Sequence, residues 1–169
     1  MSFDFLDSFG EELRKVDKGK IQLLKKAVDE NDSVIIIGNG GSNSIASHIS
    51  QDYTKFLKKK SFAFSDPSRL TCYINDYGME DAYKIFLREF CDDNTLVILI
   101  SSSGNSANIY NSADYCRQNE IPFVILTGFS ENNKVRRDFS DGAAVDFWVD
   151  SDSFGIVECL HQVILHSIL

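Results

Sequence analysis

All three histidines of the chain, His48, His161 and His166, sit among carboxylates at helical spacing. His48 and Asp52 are four residues apart and so share one face of a helix. Glu158, Gln162 and His166 recur at i, i+4 and i+8 along a second amphipathic stretch, with His161 off that line. Two imidazoles and two carboxylates suit two kinds of chemistry: holding a divalent transition ion, or sharing a proton transfer as base and acid. The plainer reading makes His48–Asp52 a helix-surface hydrogen bond and gives Glu158 a favourable place in the dipole near a helix start. Glu158 and His166 stand about 12 Å apart along a helix axis, so either both lean inward to share an ion or they serve different sites. Asp52 and His166 must be brought together by the fold or across a subunit boundary.

A second kind of chemistry is written twice. Residues 34–44 (Val-Ile-Ile-Ile-Gly-Asn-Gly-Gly-Ser-Asn-Ser) and 96–106 (Leu-Val-Ile-Leu-Ile-Ser-Ser-Ser-Gly-Asn-Ser) each run from an apolar strand through a small polar turn into a helix start. Helix N-termini at the carboxyl ends of strands present unpaired N–H groups that suit phosphate. Glycine permits close approach of the backbone, and Ser101, Ser102, Ser103 and Ser106 add hydroxyl donors. Gly, Asn and Ser also make ordinary turns and caps, but two such loops after two buried strands favour an anion site. The first loop lacks the third glycine of a dinucleotide fingerprint, with Asn43 in its place, and there is no G-K-[ST]. Phosphate is therefore favoured over a nucleotide.

The elements that must position these groups alternate along the chain. Apolar runs at 34–37, 96–100, 123–126 and 145–149 predict buried strands, and 62–64 a weaker one. Helices are expected over 7–30, with a kink at Gly19, and over 45–57, 79–90, 107–119 and 154–168. Residues 72–74 read as extended or as the end of a short helix. The pattern predicts one α/β domain over 1–169, a helical segment (1–32) ahead of an α/β core (33–169). That core is a doubly wound, mostly parallel five-stranded sheet flanked by helices.

Composition narrows the function classes. The chain has 169 residues, 43% hydrophobic and 25% charged, within globular averages. With 17 basic against 25 acidic residues the net charge is −8, which argues against nucleic acid as a partner. The Lys55, Lys58, Lys59 and Lys60 cluster is expected to close a helix. No apolar run is long enough for a bilayer, and the first ten residues lack the basic start and apolar stretch of a signal peptide, so a cytoplasmic protein without a membrane partner is expected. Cys72, Cys91, Cys116 and Cys159, far apart in sequence, read as small buried hydrophobes in a reducing compartment.

Taken in order, the segments 38–42 (Gly-Asn-Gly-Gly-Ser), His48, 75–78 (Asn-Asp-Tyr-Gly), 101–106 (Ser-Ser-Ser-Gly-Asn-Ser), 126–128 (Leu-Thr-Gly), Glu158 with His161, and His166 resemble the sugar isomerase (SIS) domain family. The 75–78 segment resembles its phosphoheptose isomerase branch. The resemblance covers the chain from about Val34 to its end. It implies a homotetramer with active sites at subunit interfaces. The implied activity interconverts sedoheptulose 7-phosphate and an aldoheptose 7-phosphate, on the way to the heptose of bacterial lipopolysaccharide or capsule. It further implies that Ser101, Ser102, Ser103 and Ser106, helped by Ser42, grip the phosphate of the phosphorylated sugar, and that Asn39 and Asp76 contact the sugar. Zn²⁺ is implied at His48, Asp52, Glu158 and His166. Asp52 would act as base and His166 as its acid/base partner around an enediolate, while His161 is read as a packed helix residue.

The chain departs from that family at named positions. Asp52 stands for a Glu, Glu158 for a Gln, Phe56 for an Arg, and Phe154 and Gly155 for a Thr and an Asp. A variant sugar phosphate fits these changes. The alternative is a non-catalytic SIS protein, a phosphosugar sensor or adaptor, against which Asp52 and His166 together argue.

Overall fold

The computed structural model describes residues 4–169. Residues 1–3, the head of the expected helical segment and of the expected 1–169 domain, lie outside the described residues.

Five strands, β1 (Ser33–Gly38), β2 (Lys60–Ala63), β3 (Thr95–Ser101), β4 (Phe123–Thr127) and β5 (Val145–Trp148), form one sheet in the order β2-β1-β3-β4-β5. Every pairing is parallel, so the sheet is wholly rather than mostly parallel. The central strands β1, β3 and β4 are buried along their whole length, as a sheet covered on both faces requires. Alternate residues of β1 divide between two cores. Val34 and Ile36 face one with α2 (Lys18–Glu30), α3 (Gly41–Phe56) and α8 (Phe154–His166). Ile35 and Ile37 face the other with α5 (Ala82–Phe90), α6 (Ala107–Gln118) and α7 (Lys134–Phe139). The strand order reverses between β1 and β3, which opens the crevice where open α/β sheets bind ligands. The glycine turn follows β1 and the serine turn follows β3, so both loops flank that crevice.

Where the structure departs from expectation, the reasons are local. The expected 7–30 helix is two, α1 (Phe5–Lys15) and α2. The break falls at Asp17, not at Gly19, because the Asp17 carboxylate accepts from the N–H groups of Gly19 (2.7 Å) and Lys20 (3.4 Å) and starts a new helix. Residues 72–74 lie inside α4 (Pro67–Tyr77), started by the Asp66 side chain on Arg69 N–H and by Pro67 in the first turn. The helix expected from residue 79 begins only at Ala82. Of the four lysines expected to close a helix, Lys55 lies in the last turn of α3, and Lys58 Nζ donates to its carbonyl at 2.8 Å. Lys59 Nζ instead donates to the Asp29 and Asn31 carbonyls at the end of α2, and Lys60 opens β2. Only Cys116 is fully buried among the cysteines; Cys72 and Cys159 are exposed, each on the outer side of its helix, and none is paired. No helix among the described residues is long and apolar enough to cross a membrane.

Candidate active site

α3 and α8 both begin at the carboxyl end of the sheet and pack side by side through Ile45, Ile49, Tyr53, Ile164 and Leu165 in a common core. Their parallel course brings like ends together. Near the far end, His166 Nε2 lies 3.1 Å from Asp52 Oδ2, and His48 Nε2 lies 3.4 Å from the same oxygen. The two imidazoles meet edge to face with ring centroids 5.3 Å apart. Asp52 is buried, His166 partly so, and His48 exposed, which opens the group to one side. Asp52 Oδ1 makes no hydrogen bond among the described residues.

One ligand atom from each of His48, Asp52 and His166 lies within 4.8 Å of the other two. Two imidazole nitrogens and one carboxylate oxygen at that spacing fit a divalent transition ion and leave coordination positions for oxygen ligands. Glu158, expected with these three, is not in the group. It lies two turns earlier on α8, about 12 Å back along the axis. Its carboxylate packs against Gly41 at the start of α3 instead.

At that near end a small cavity of about 90 Å³ is lined by Asn39, Ser42, Ser101, Ser102, Ser103, Ser106, Phe154 and Glu158. All four loop serines expected at the phosphate, together with Ser42 and Asn39, are thus gathered in one place. Ser102 is 5% exposed and its Oγ has no hydrogen-bond partner. A buried hydroxyl without a partner costs free energy unless a ligand supplies one. The first two N–H groups of α3, those of Gly41 and Ser42, likewise have no acceptor among the described residues. The serine turn itself is held by packing. Gly104 adopts φ +61°, and a Cβ there would lie 2.0 Å from Asn133 Oδ1, so only glycine fits.

The glycine turn is tied to the first turn of α6, the helix that follows the serine turn. Asn39 Nδ2 donates to Asn108 Oδ1 at 2.9 Å and Asn108 Nδ2 donates back to Asn39 Oδ1 at 2.8 Å. Asn39 is thus engaged through both ends of its amide. Tyr83 adds a 2.9 Å hydrogen bond from its hydroxyl to the Gly38 carbonyl. Nothing in the sequence marks Asn108 or Tyr53 for the site, and Tyr83 reads there only as part of the apolar face of the 79–90 helix, because a buried polar partner inside a helix carries no local signature. From the glycine turn an open polar depression of about 450 Å³ follows Gly40, Asn43, Ser44, Ser47, His48 and Gln51 along one face of α3. It runs from the glycine turn past His48.

Asp76 is not brought to either place within the chain. It is exposed on α4, where Asn75 Nδ2 donates to it at 2.9 Å and Cys72 lies 3.5 Å away. His161 is fully buried, its Nε2 3.1 Å from the Thr127 carbonyl. Burial, against the weaker pull of that carbonyl, holds its pKa down at about 4. It is a neutral core residue.

No family model matches the chain. The phosphoheptose isomerase of Fusobacterium nucleatum is 30% identical over 174 residues, spanning 99% of this chain and 87% of that one. That of Helicobacter pylori is 30% identical over 162 residues, 92% of this chain and 82% of its own. Among solved structures, the phosphoheptose isomerase GmhA of Neisseria gonorrhoeae superposes with a TM-score of 0.85 at 22% identity, covering 97% of this chain and 92% of that one. The Vibrio vulnificus NanR protein complexed with ManNAc-6P shares the fold at a TM-score of 0.71 and 16% identity, over 97% of this chain and 59% of NanR.

Proposed function

This chain belongs to the phosphoheptose isomerase family, and we propose that it interconverts sedoheptulose 7-phosphate and a heptose 7-phosphate through an enediolate. The observation that carries the catalytic part is the 3.1 Å contact between Asp52 and His166, two residues far apart in sequence, at one end of a helix pair whose other end is lined with serines. The unpartnered Ser102 hydroxyl and the free N–H groups of α3 support phosphate at the serine end. The roughly 12 Å between the two ends requires a substrate long enough to reach from one to the other, which suits a seven-carbon sugar phosphate better than a short one.

Aldose–ketose exchange moves one proton between neighbouring carbons and another between their two oxygens, with no net change of oxidation state. Asp52 removes the proton from the carbon beside the carbonyl, its free Oδ1 facing away from both imidazoles' contact with Oδ2. His166, hydrogen-bonded to that carboxylate, steadies its charge and returns a proton to the adjacent carbon. Asp52 is nearly excluded from water, which strengthens both interactions. The donor set of His48, Asp52 and His166 supports a zinc ion held there, which when bound supplies Lewis-acid stabilisation of the oxygens that carry developing charge. Ser42, Ser101, Ser102, Ser103 and Ser106 hold the phosphate, and Asn39 and Asp76 complete the sugar contacts, Asp76 only in an assembly that brings it to a neighbour's cleft.

That assembly is a homotetramer with its active sites at subunit boundaries. Exposed His48 and the exposed Phe56, one turn past Asp52, and Phe62 on the edge strand β2 support a partner at this side. The test is isotope exchange: the protein with Zn²⁺ and sedoheptulose 7-phosphate in deuterated water is expected to incorporate deuterium at C1 and C2. Absence of exchange with this and with other ketose phosphates would remove the isomerase.

A further inference from the structure

We propose that Glu158 makes the serine pocket selective for a phosphate group that still carries a proton, and so separates phosphate esters from sulfate esters. The inference rests on the reading above for which end of the substrate enters this pocket, and adds to it what the pocket rejects.

The lining of the cavity contains no Lys, Arg or His. Its donors are neutral: the hydroxyls of Ser42, Ser101, Ser102, Ser103 and Ser106, with the free N–H of Ser42 in the first turn of α3. Against them stands one carboxylate. The Glu158 carboxylate makes no hydrogen bond or ion pair among the described residues, although it lies beside a helix N-terminus. It occupies the space a side chain at position 41 would need, because a Cβ on Gly41 would come within 2.5 Å of both carboxylate oxygens. Gly41 is what lets the acid sit at the pocket wall.

A carboxylate only accepts hydrogen bonds. A fully ionised anion in this pocket turns a lone-paired oxygen towards Glu158 and is repelled. An anion with one remaining O–H donates it to Glu158 in a short, charge-assisted bond, while its other oxygens take the serine and backbone donors. Phosphate esters lose their last proton near pH 6 and keep access to that form; sulfate esters have no proton to give near neutrality. The unpartnered Ser102 hydroxyl, buried and lining the same cavity, is the independent sign that a ligand oxygen belongs there. A repulsive element against the wrong ligand is one established means of telling two isosteric ligands apart.

The experiment is calorimetric titration of the full-length chain with inorganic phosphate and, separately, with sulfate at pH 7, for the wild type, Glu158→Gln, Glu158→Ala and Ser102→Ala. The wild type is expected to bind phosphate at least about tenfold more tightly than sulfate. Both Glu158 variants are expected to bring the two affinities within about threefold, chiefly by gaining sulfate. Ser102→Ala is expected to weaken phosphate binding while keeping the preference. A wild type without preference, or Glu158 variants that keep it while Ser102→Ala weakens phosphate, would overturn the role of Glu158 alone. If Ser102→Ala leaves phosphate binding unchanged, the phosphate lies elsewhere and the reading of the pocket falls with it.

Discussion

The Tyr53 hydroxyl donates a 2.9 Å hydrogen bond to the backbone carbonyl of Leu165, inside a core where both residues are fully buried. Tyr53 follows Asp52 in sequence, and Leu165 precedes His166. The Leu165 carbonyl belongs to the last turn of α8, where helical carbonyls lack intrahelical partners. One hydrogen bond therefore satisfies a helix end and fixes the spacing of the two residues assigned to proton transfer. Tyr53→Phe keeps the ring and removes the bond. It is expected to cost about 1–3 kcal/mol in stability, and to lower kcat more than it raises KM, as chemical denaturation and steady-state kinetics would report. Unchanged kcat would make the bond purely structural.

Asp52→Asn retains size and removes the proton acceptor. Turnover is expected to fall by roughly 10²–10⁴-fold or more, with an unaltered circular dichroism spectrum. Deuterium exchange into sedoheptulose 7-phosphate is the direct measurement, and exchange at the wild-type rate would place the base elsewhere.

Ser102→Ala separates binding from folding. The hydroxyl has no partner in the free chain, so its loss is expected to leave stability unchanged or slightly raised. KM for the sugar phosphate should nevertheless rise about tenfold with little change in kcat, because phosphate is held in ground and transition states alike.

Metal binding should follow the three-residue group. After dialysis against a chelator and reloading, elemental analysis is expected to find one zinc per chain. His48→Ala and His166→Ala are expected to lower metal affinity by at least about tenfold. Glu158→Gln is expected to leave the metal content unchanged, since Glu158 lies at the other end of α8.

The buried His161 sets an acid limit on the fold. It is neutral in the native state down to about pH 4, whereas in the unfolded chain it protonates near its ordinary 6.5. As pH falls below 6.5 the unfolded state takes up a proton that the native state refuses, so its contribution is full at pH 7 and is lost on the way down to about 4. The loss is on the order of 3 kcal/mol. In urea titrations across this range, His161→Gln is expected to flatten that part of the slope; an identical slope would assign it to other groups.

Much of this was legible in the residue order. β1, β3 and β4 announce themselves because a strand covered on both faces must be apolar throughout, and the turns after them because only small polar residues suit them. The split between α1 and α2 was misplaced, since the Asp17 cap looks in sequence like any surface acid. α7, with six residues, is too short for a periodic signal. The pairing of Asp52 with His166 could be expected only as a demand on the fold. Glu158 was grouped with His166 because i and i+8 share a side of a helix. Only the parallel course of α3 against α8 reveals that the two ends of that side face different chemistry. The residues that hold the site, Tyr53, Tyr83 and Asn108, act through contacts between distant segments.

The exchanged amides of Asn39 and Asn108 have a mechanical consequence. The glycine turn abuts the start of α6 and cannot swing away from it without breaking two hydrogen bonds at once. The cradle for the substrate's charged end is thus preorganised, and binding spends little on ordering it.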